Sequence, residues 1–191
     1  MSPKEPNAQA PAIKRIALIS TGGTIEKTYD AFSGVLANHV SVLDVMLSQL
    51  ELRGARVGRV PLMNKDSLEM TPADHDLIAE TAQAAASAHH GVVVVHGTDT
   101  LSISGETTYA LGPPDAPIVF TGAMRPYMMR NTDALQNLTE ALLCVQLLPP
   151  GVYAAMHNRV LRFPGVVKDR EAGTFRGGVG LLSHPVPVEA L

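Results

Sequence analysis

Apolar and polar positions along the chain switch between a strand-like and a helix-like pattern. Residues 14–20, KRIALIS, form a short β-leaning run that stops at Gly22-Gly23. Residues 41–52 place Val42, Val45, Met46 and Leu50 at helical spacing, and Gly54 closes that stretch. Residues 56–63 read as a second strand. Thr71-Pro72-Ala73-Asp74 opens a helix, with Thr as cap, Pro in the first position and an acid in the first turn. That helix extends to about residue 88. Gly91-Val92-Val93-Val94-Val95 is apolar throughout, as expected of a parallel strand covered on both faces. A helix over 100–111, weakened by Gly105, leads to a strand over 117–120. A helix over 132–148 carries Leu135, Leu138, Leu142 and Val145 on one stripe, and a strand follows over 151–156. The remainder reads as irregular, with short strands at 160–163 and 178–182. Strands separated by helices of this length predict an α/β fold. The expected form is three layers: a mainly parallel sheet with helices on both faces.

Composition narrows the class. The chain has 191 residues, 46% of them hydrophobic, enough for one core and little more. Residues 1–12 are expected to be a disordered tail, and 13–191 a single domain without internal repeats. The formal net charge of -3 and the lack of a basic patch argue against nucleic acid as a partner. The single cysteine, Cys144, excludes an internal disulfide and sits in the apolar run ALLCV, where a buried, inert thiol is expected. The N-terminal segment lacks the apolar core of a secretory signal, and no run approaches the ~20 residues of a membrane helix. A cytoplasmic protein with no membrane partner is the expectation.

In open α/β sheets ligands bind beyond the carboxyl ends of strands. The segments there are Thr21-Gly22-Gly23-Thr24-Ile25-Glu26, Asp66-Ser67-Leu68-Glu69-Met70, His96-Gly97-Thr98-Asp99-Thr100 and Thr121-Gly122-Ala123-Met124-Arg125-Pro126. They are rich in small and hydroxylic residues. Glycine lets backbone approach a ligand closely, and hydroxyls supply nucleophiles and hydrogen bonds. Taken singly, Thr24 reads as a turn hydroxyl and Thr98-Asp99 as a helix cap. Gly22-Gly23-Thr24 lacks the spacing of a phosphate loop, and the seven histidines show no metal-binding spacing, so neither a nucleotide cofactor nor a metal is expected. His96 is expected to make structural hydrogen bonds, and His89-His90 to be a polar loop. Glu26, Lys27 and Asp30 are expected on solvated surface.

Together, Thr21-Gly22-Gly23-Thr24-Ile25 and His96-Gly97-Thr98-Asp99-Thr100 resemble the two signatures of the bacterial-type asparaginase/glutaminase family. Ser67 between them, then Gly122-Ala123-Met124-Arg125-Pro126, Asp133 and Asn137-Leu138, follow in the same order, so the likeness spans about residues 14–176. The resemblance implies a Rossmann-like domain with an active-site flap after the first strand. It implies an L-asparaginase that hydrolyses L-asparagine to L-aspartate and ammonia through an acyl-enzyme. By motif position, Thr24 is similar to the family's nucleophile and Tyr29 to a flap tyrosine that activates it. Thr98, Asp99 and Lys168 resemble the second catalytic group. Gly23, Ser67, Gly97, Thr98 and Asp99 resemble the substrate-binding set, with Ser67 and Asp99 at the carboxylate and amino ends.

Elementary chemistry suits those residue types. A threonine hydroxyl needs a base to take its proton, and a lysine can serve only when neutral. Backbone N–H groups near Gly97 suit an oxyanion, each such donor being worth about 2.7–4 kcal/mol. Two departures stand out. The chain is expected to be a short, single-domain member that lacks the C-terminal domain of typical family members, and Leu68 stands where a polar amine-binding residue is usual in the family, with Glu69 as a weak substitute. A homo-oligomer, dimer or tetramer, is expected to cover the apolar surface so left. The competing readings are the ammonia-releasing subunit of a tRNA-dependent amidotransferase and an inactive amino-acid-binding module.

Overall fold

The structure, a computed structural model, describes residues 12–30, 34–37 and 41–180. In chain order its elements are β1 (Lys14–Gly22), β2 (Thr28–Asp30), β3 (Val35–Ala37), α1 (Leu43–Ser48), β4 (Ala55–Lys65), α2 (Pro72–Ala86), β5 (Gly91–Val95), α3 (Leu101–Ala110), β6 (Pro117–Thr121), α4 (Ala134–Leu147), β7 (Gly151–Met156), β8 (Arg159–Asp169) and β9 (Thr174–Gly180). Seven strands form one sheet in the order β4-β1-β5-β6-β7-β8-β9, and β2 pairs with β3 in a separate ribbon after β1. From β4 to β7 all pairings are parallel; β8 and β9 add to the edge antiparallel. No helix among the described residues is long and apolar enough to cross a membrane. The expected tail lies outside the described residues apart from position 12, as do positions 181–182 of the last expected strand.

The alternation of side chains along each strand creates the three layers. Ile16 and Leu18 of β1, with Val93 and Val95 of β5, pack under Leu43 and Met46 of α1 and Leu138, Leu142 and Val145 of α4. Their neighbours Ala17, Ile19, Val92 and Val94 face Ile78, Ala82 and Ala86 of α2 and Leu101 of α3. The valines of β5 are fully buried, each contributing roughly 1.5–3 kcal/mol of hydrophobic stabilisation. The helix start at Thr71 is a full capping box. Thr71 Oγ1 accepts from the Asp74 N–H, and Asp74 Oδ2 accepts from the Thr71 N–H at 2.8 Å.

Two sequence expectations need correction. The helix expected over 41–52 is only Leu43–Ser48. Leu50 and Leu52, two apart, both pack on the core, which a continuing helix would place on opposite faces. The last part of the domain is not irregular. β8 runs for 11 residues and pairs with β9. Its alternation is hidden because Arg162 pairs with Val179 but Val166 with Gly177, so β8 has inserted residues that break the period of two. Cys144 is half-buried, with burial pushing its thiol pKa up.

Gly105, out of place by helix propensity, has a packing reason. A Cβ there would lie 2.5 and 2.6 Å from Phe163 Cε1 and Cε2 of β8. Between α2, α3 and the sheet lies one polar cluster. His96, fully buried just after β5, stacks on His75 of α2 with ring centroids 6.2 Å apart. Ser104 Oγ of α3 sits 2.7 Å from His75 Nδ1 and 2.8 Å from His96 Nε2. Burial pushes His96 down to about 4 and lowers His75 as well.

Gly105→Ala should gain about 1 kcal/mol of helix propensity but lose about 1–3 kcal/mol to overpacking against a ring that cannot retreat. Urea unfolding should therefore show a net loss of stability; a gain would contradict the packing reason. His96 stays neutral in the fold where an unfolded histidine would take a proton. Its contribution is therefore present above about pH 6.5 and is lost as pH falls toward about 4, on the order of 3 kcal/mol in all. Urea titrations across that window should show this slope, and a flatter one in His96→Gln.

Candidate active site

Four strand exits converge at the carboxyl end of the parallel strands because their backbones touch. Gly22 and Gly23 turn the chain out of β1 at φ of 95° and 82°, values that favour glycine. A Cβ on Gly23 would overlap Gly97, lying 2.5 Å from its backbone N. A Cβ on Gly97 would lie 2.5 Å from both Cβ and Oγ of Ser67. One on Gly122 would overlap the His96 carbonyl oxygen. The segments after β1, β4, β5 and β6 thus meet where each glycine leaves no room for a Cβ. Gly23 N–H donates to the Lys65 carbonyl at 3.0 Å, and Thr100 Oγ1 to the Ser67 carbonyl at 2.9 Å. Thr24 opens a short 3-10 turn, Thr24–Glu26, directly after this contact. Its half-buried hydroxyl has no hydrogen-bond partner among the described residues.

Lys168 reaches in from the antiparallel edge. Its Nζ donates to Thr98 Oγ1 at 2.8 Å and to Asp99 Oδ1 at 3.1 Å. Arg170 Nη1 approaches the same Asp99 oxygen at 2.9 Å. Lys168 is 15% exposed and Asp99 23%, so the pair is partly desolvated, whereas Arg170 is 70% exposed. Shielded ion pairs are worth more than solvated ones, so the Lys168 contact is the firmer of the two. Thr98 N–H has no partner among the described residues and is an open donor beside this hydroxyl–ammonium–carboxylate set.

The structure brings Gly23 against the Gly97 backbone and Gly97 against the Ser67 side chain, and joins Thr98, Asp99 and Lys168 through hydrogen bonds. Tyr29 stands apart. It lies on β2, 55% exposed, with its backbone N–H 3.1 Å from Met128 Sδ and no hydrogen bond from its phenol among the described residues. The expectation of a solvated surface at Glu26 and Lys27 fails. Glu26 is buried, lining a cavity of about 330 Å³ with Ser20 and Asn64, because the 3-10 turn folds it under β1. Lys27 pairs with Asp66 at 2.7 Å, and that ammonium, with the Leu68 N–H, holds the Asp66 carboxyl below its ordinary pKa. The side chain of Asp30 lies outside the described ones.

The sequence assigned no role to two residues that matter here, Arg170 and Asp133. Arg170 follows Lys168 at the two-residue spacing of one strand face, a signal obscured by the irregular reading of β8. Asp133 organises the loop after β6. It accepts from the N–H groups of Met124 and Arg125 at 2.9 and 3.0 Å, from Asn137 Nδ2 at 2.9 Å and from His157 Nε2 at 2.8 Å. Burial pushes its carboxyl up, but these donors outweigh burial and hold it below its ordinary pKa. No group of three or more metal-ligating side chains is present among the described residues.

Known proteins carry the same architecture. Residues 15–174 match the family model described as "Asparaginase, N-terminal". An L-asparaginase from Thermococcus kodakarensis is 30% identical over 165 residues, covering 83% of this chain and 49% of that protein. A subunit of the glutamyl-tRNA(Gln) amidotransferase from Haloquadratum walsbyi is 36% identical over 150 residues, covering 76% of this chain and 34% of that protein. The crystal structure of L-asparaginase I from Vibrio cholerae superposes with a TM-score of 0.70 at 26% identity, over 86% of this chain and 51% of its own. This chain therefore spans about half the length of the L-asparaginases it matches. With the sheet and the strand-exit motifs matched over most of its length, the chain belongs to the asparaginase family through that family's N-terminal domain.

Proposed function

We propose that this chain is an L-asparaginase, hydrolysing L-asparagine to L-aspartate and ammonia. The observation that carries the reading is the contact of Lys168 Nζ with both Thr98 Oγ1 and Asp99 Oδ1, together with a Thr24 hydroxyl that has no hydrogen-bond partner among the described residues. Thr24 Oγ1 attacks the side-chain amide carbon and gives up its proton, with Tyr29 as the relay on the flap. The carbon becomes tetrahedral and its oxygen takes negative charge, met by backbone donors such as Thr98 N–H. The proton that Thr24 gave up passes to the amide nitrogen, which leaves as ammonia, and an ester remains on Thr24. A water attacks the ester carbon, and its proton passes through the Thr98 hydroxyl held by Lys168 to the departing Thr24 oxygen, which releases aspartate and restores the hydroxyl. Ser67, with Gly23 and Gly97 leaving room, holds the substrate carboxylate, and Asp99 its ammonium. Anchoring both ends of a small substrate aligns the amide for attack.

Homo-oligomerisation in the cytoplasm is part of the proposal. Tyr29, Leu68 and Met128 are half or more exposed around the site, and a second copy covering them would remove apolar surface from water. A second reading, an ammonia-releasing subunit of an amidotransferase, is favoured by the 36% identity to the Haloquadratum walsbyi protein. The same Thr24 and Lys168 chemistry would serve it, with glutamine as the amide.

Purified protein should release ammonia from asparagine faster than from glutamine. Thr24→Val and Lys168→Met should each lower kcat by about 100-fold or more, as expected when a nucleophile or a member of the proton relay is removed. Inactive wild-type protein overturns the enzyme reading, and full activity in Thr24→Val overturns the nucleophile. Glutamine hydrolysis that appears only on adding tRNA and a partner protein would favour the second reading. Light scattering should show a dimer or tetramer; an active monomer would remove the oligomer from the proposal.

A further inference from the structure

The mechanism above makes no use of the buried cluster His75–Ser104–His96, although it ends on the catalytic loop. We propose that this cluster is a one-way hydrogen-bond wire that fixes and polarises the Gly97–Thr98 peptide, making His96 and Ser104 positioning residues for amide hydrolysis. The proposal rests on the amidohydrolase reading of the site.

Each proton in the wire is assigned by its neighbour. His96 Nδ1 lies 2.8 Å from the Gly97 carbonyl oxygen. A carbonyl only accepts, so the ring proton is on Nδ1. The buried ring is neutral near pH 7, with burial holding its pKa at about 4, so Nε2 carries a lone pair. Ser104 Oγ, 2.8 Å away, must therefore donate to it. A serine hydroxyl has one proton, so His75 Nδ1, at 2.7 Å, must donate to the Ser104 oxygen. The line runs His75 Nδ1–H to Ser104 Oγ–H to His96 Nε2, then His96 Nδ1–H to the Gly97 carbonyl. Both rings carry the Nδ1–H tautomer, the less populated one for histidine in water.

The far end of the line reaches the chemistry. The Gly97 carbonyl and the Thr98 N–H belong to one planar peptide. A donor on the carbonyl draws electron density from the nitrogen and strengthens that N–H as a donor, and chains of such bonds reinforce one another in a low-dielectric interior. The same peptide carries Thr98, whose hydroxyl holds Lys168 Nζ. Its glycine abuts Gly23 and Ser67. Rotating this peptide would shift the oxyanion donor, the Thr98 hydroxyl and the contact with Ser67 together. The donors come from α2 and α3, so the wire also ties the outer layer to the strand exit.

Nitrogen-15 spectra of histidine-labelled protein read the tautomers without any assay. Both His75 and His96 should carry Nδ1–H at neutral pH, and Ser104→Ala should weaken the Thr98 amide as a donor, moving its proton resonance upfield. In ammonia release, Ser104→Ala should lower kcat about five- to tenfold, the equivalent of one neutral hydrogen bond, with KM within about twofold. Ser104→Thr, which keeps the hydroxyl, should recover most of the loss. An Nε2–H tautomer at His96 overturns the wire. So does a folded Ser104→Ala variant with wild-type kcat and an unmoved Thr98 amide, since a purely structural role would change the melting temperature alone. Wild-type protein that hydrolyses no amide defeats the positioning role together with the amidohydrolase reading, while the tautomers still show whether the wire exists.

Discussion

Glycine backbone packed so closely that no Cβ would fit is the constraint on which the candidate site depends. Gly23 meets Gly97, Gly97 meets Ser67 and Gly122 meets the His96 carbonyl, each too close for a Cβ. Parallel strands lie about 4.8 Å apart, so residues just past their ends are already neighbours. Glycine at three of the exits lets the following loops fold inward instead of splaying apart. Thr24, Ser67 and Thr98 are thereby gathered from three segments well separated along the chain. A β-carbon at any of these glycines would push Thr24, Ser67 and Thr98 apart.

The sheet's change of direction supplies what the parallel strands lack. Exits of β1, β4 and β5 bring Thr24, Ser67, Thr98 and Asp99 to one place, but the lysine that pairs with Asp99 comes from β8, which runs back along β7. Its inserted residues between Arg162 and Val166 set the phase of the last stretch. Val166 faces the core and Lys168, two residues on, reaches Thr98 and Asp99. Phe163 of the same strand lies against Gly105 of α3. The glycine that weakens α3 as a helix thus seats the strand that delivers the lysine.

Polar groups buried around the site are satisfied in connected sets rather than one by one. Asp133 gathers two backbone amides, an asparagine and a histidine and so holds the loop after β6. The two histidines around Ser104 do the same for the loop after β5. Such sets resist rearrangement because breaking one bond leaves a buried donor or acceptor unpaired, at about 1–3 kcal/mol. They make the loops that carry Thr98 and Met124 rigid extensions of the sheet.

The α/β class, the order of the main strands and helices, and the strand exits where chemistry belongs are all legible in the chain before it folds. Uniform apolar strands, capping residues and glycine pairs are local signals, each governed by a few neighbouring residues. The placing of Thr98 and Asp99 at a strand exit is legible for that reason, in one short motif. Folding settles the rest: Leu50 and Leu52 leave the helix, β8 is a long strand with a shifted phase, and Glu26 turns inward. Folding also makes Arg170 share the Asp99 oxygen and puts His75, Ser104 and His96 in one line. Each of these depends on partners far along the chain, brought close by the sheet, and periodicity holds no record of them. The glycines carry both kinds of information: their presence is written in the sequence, and what each must touch is set only by the fold.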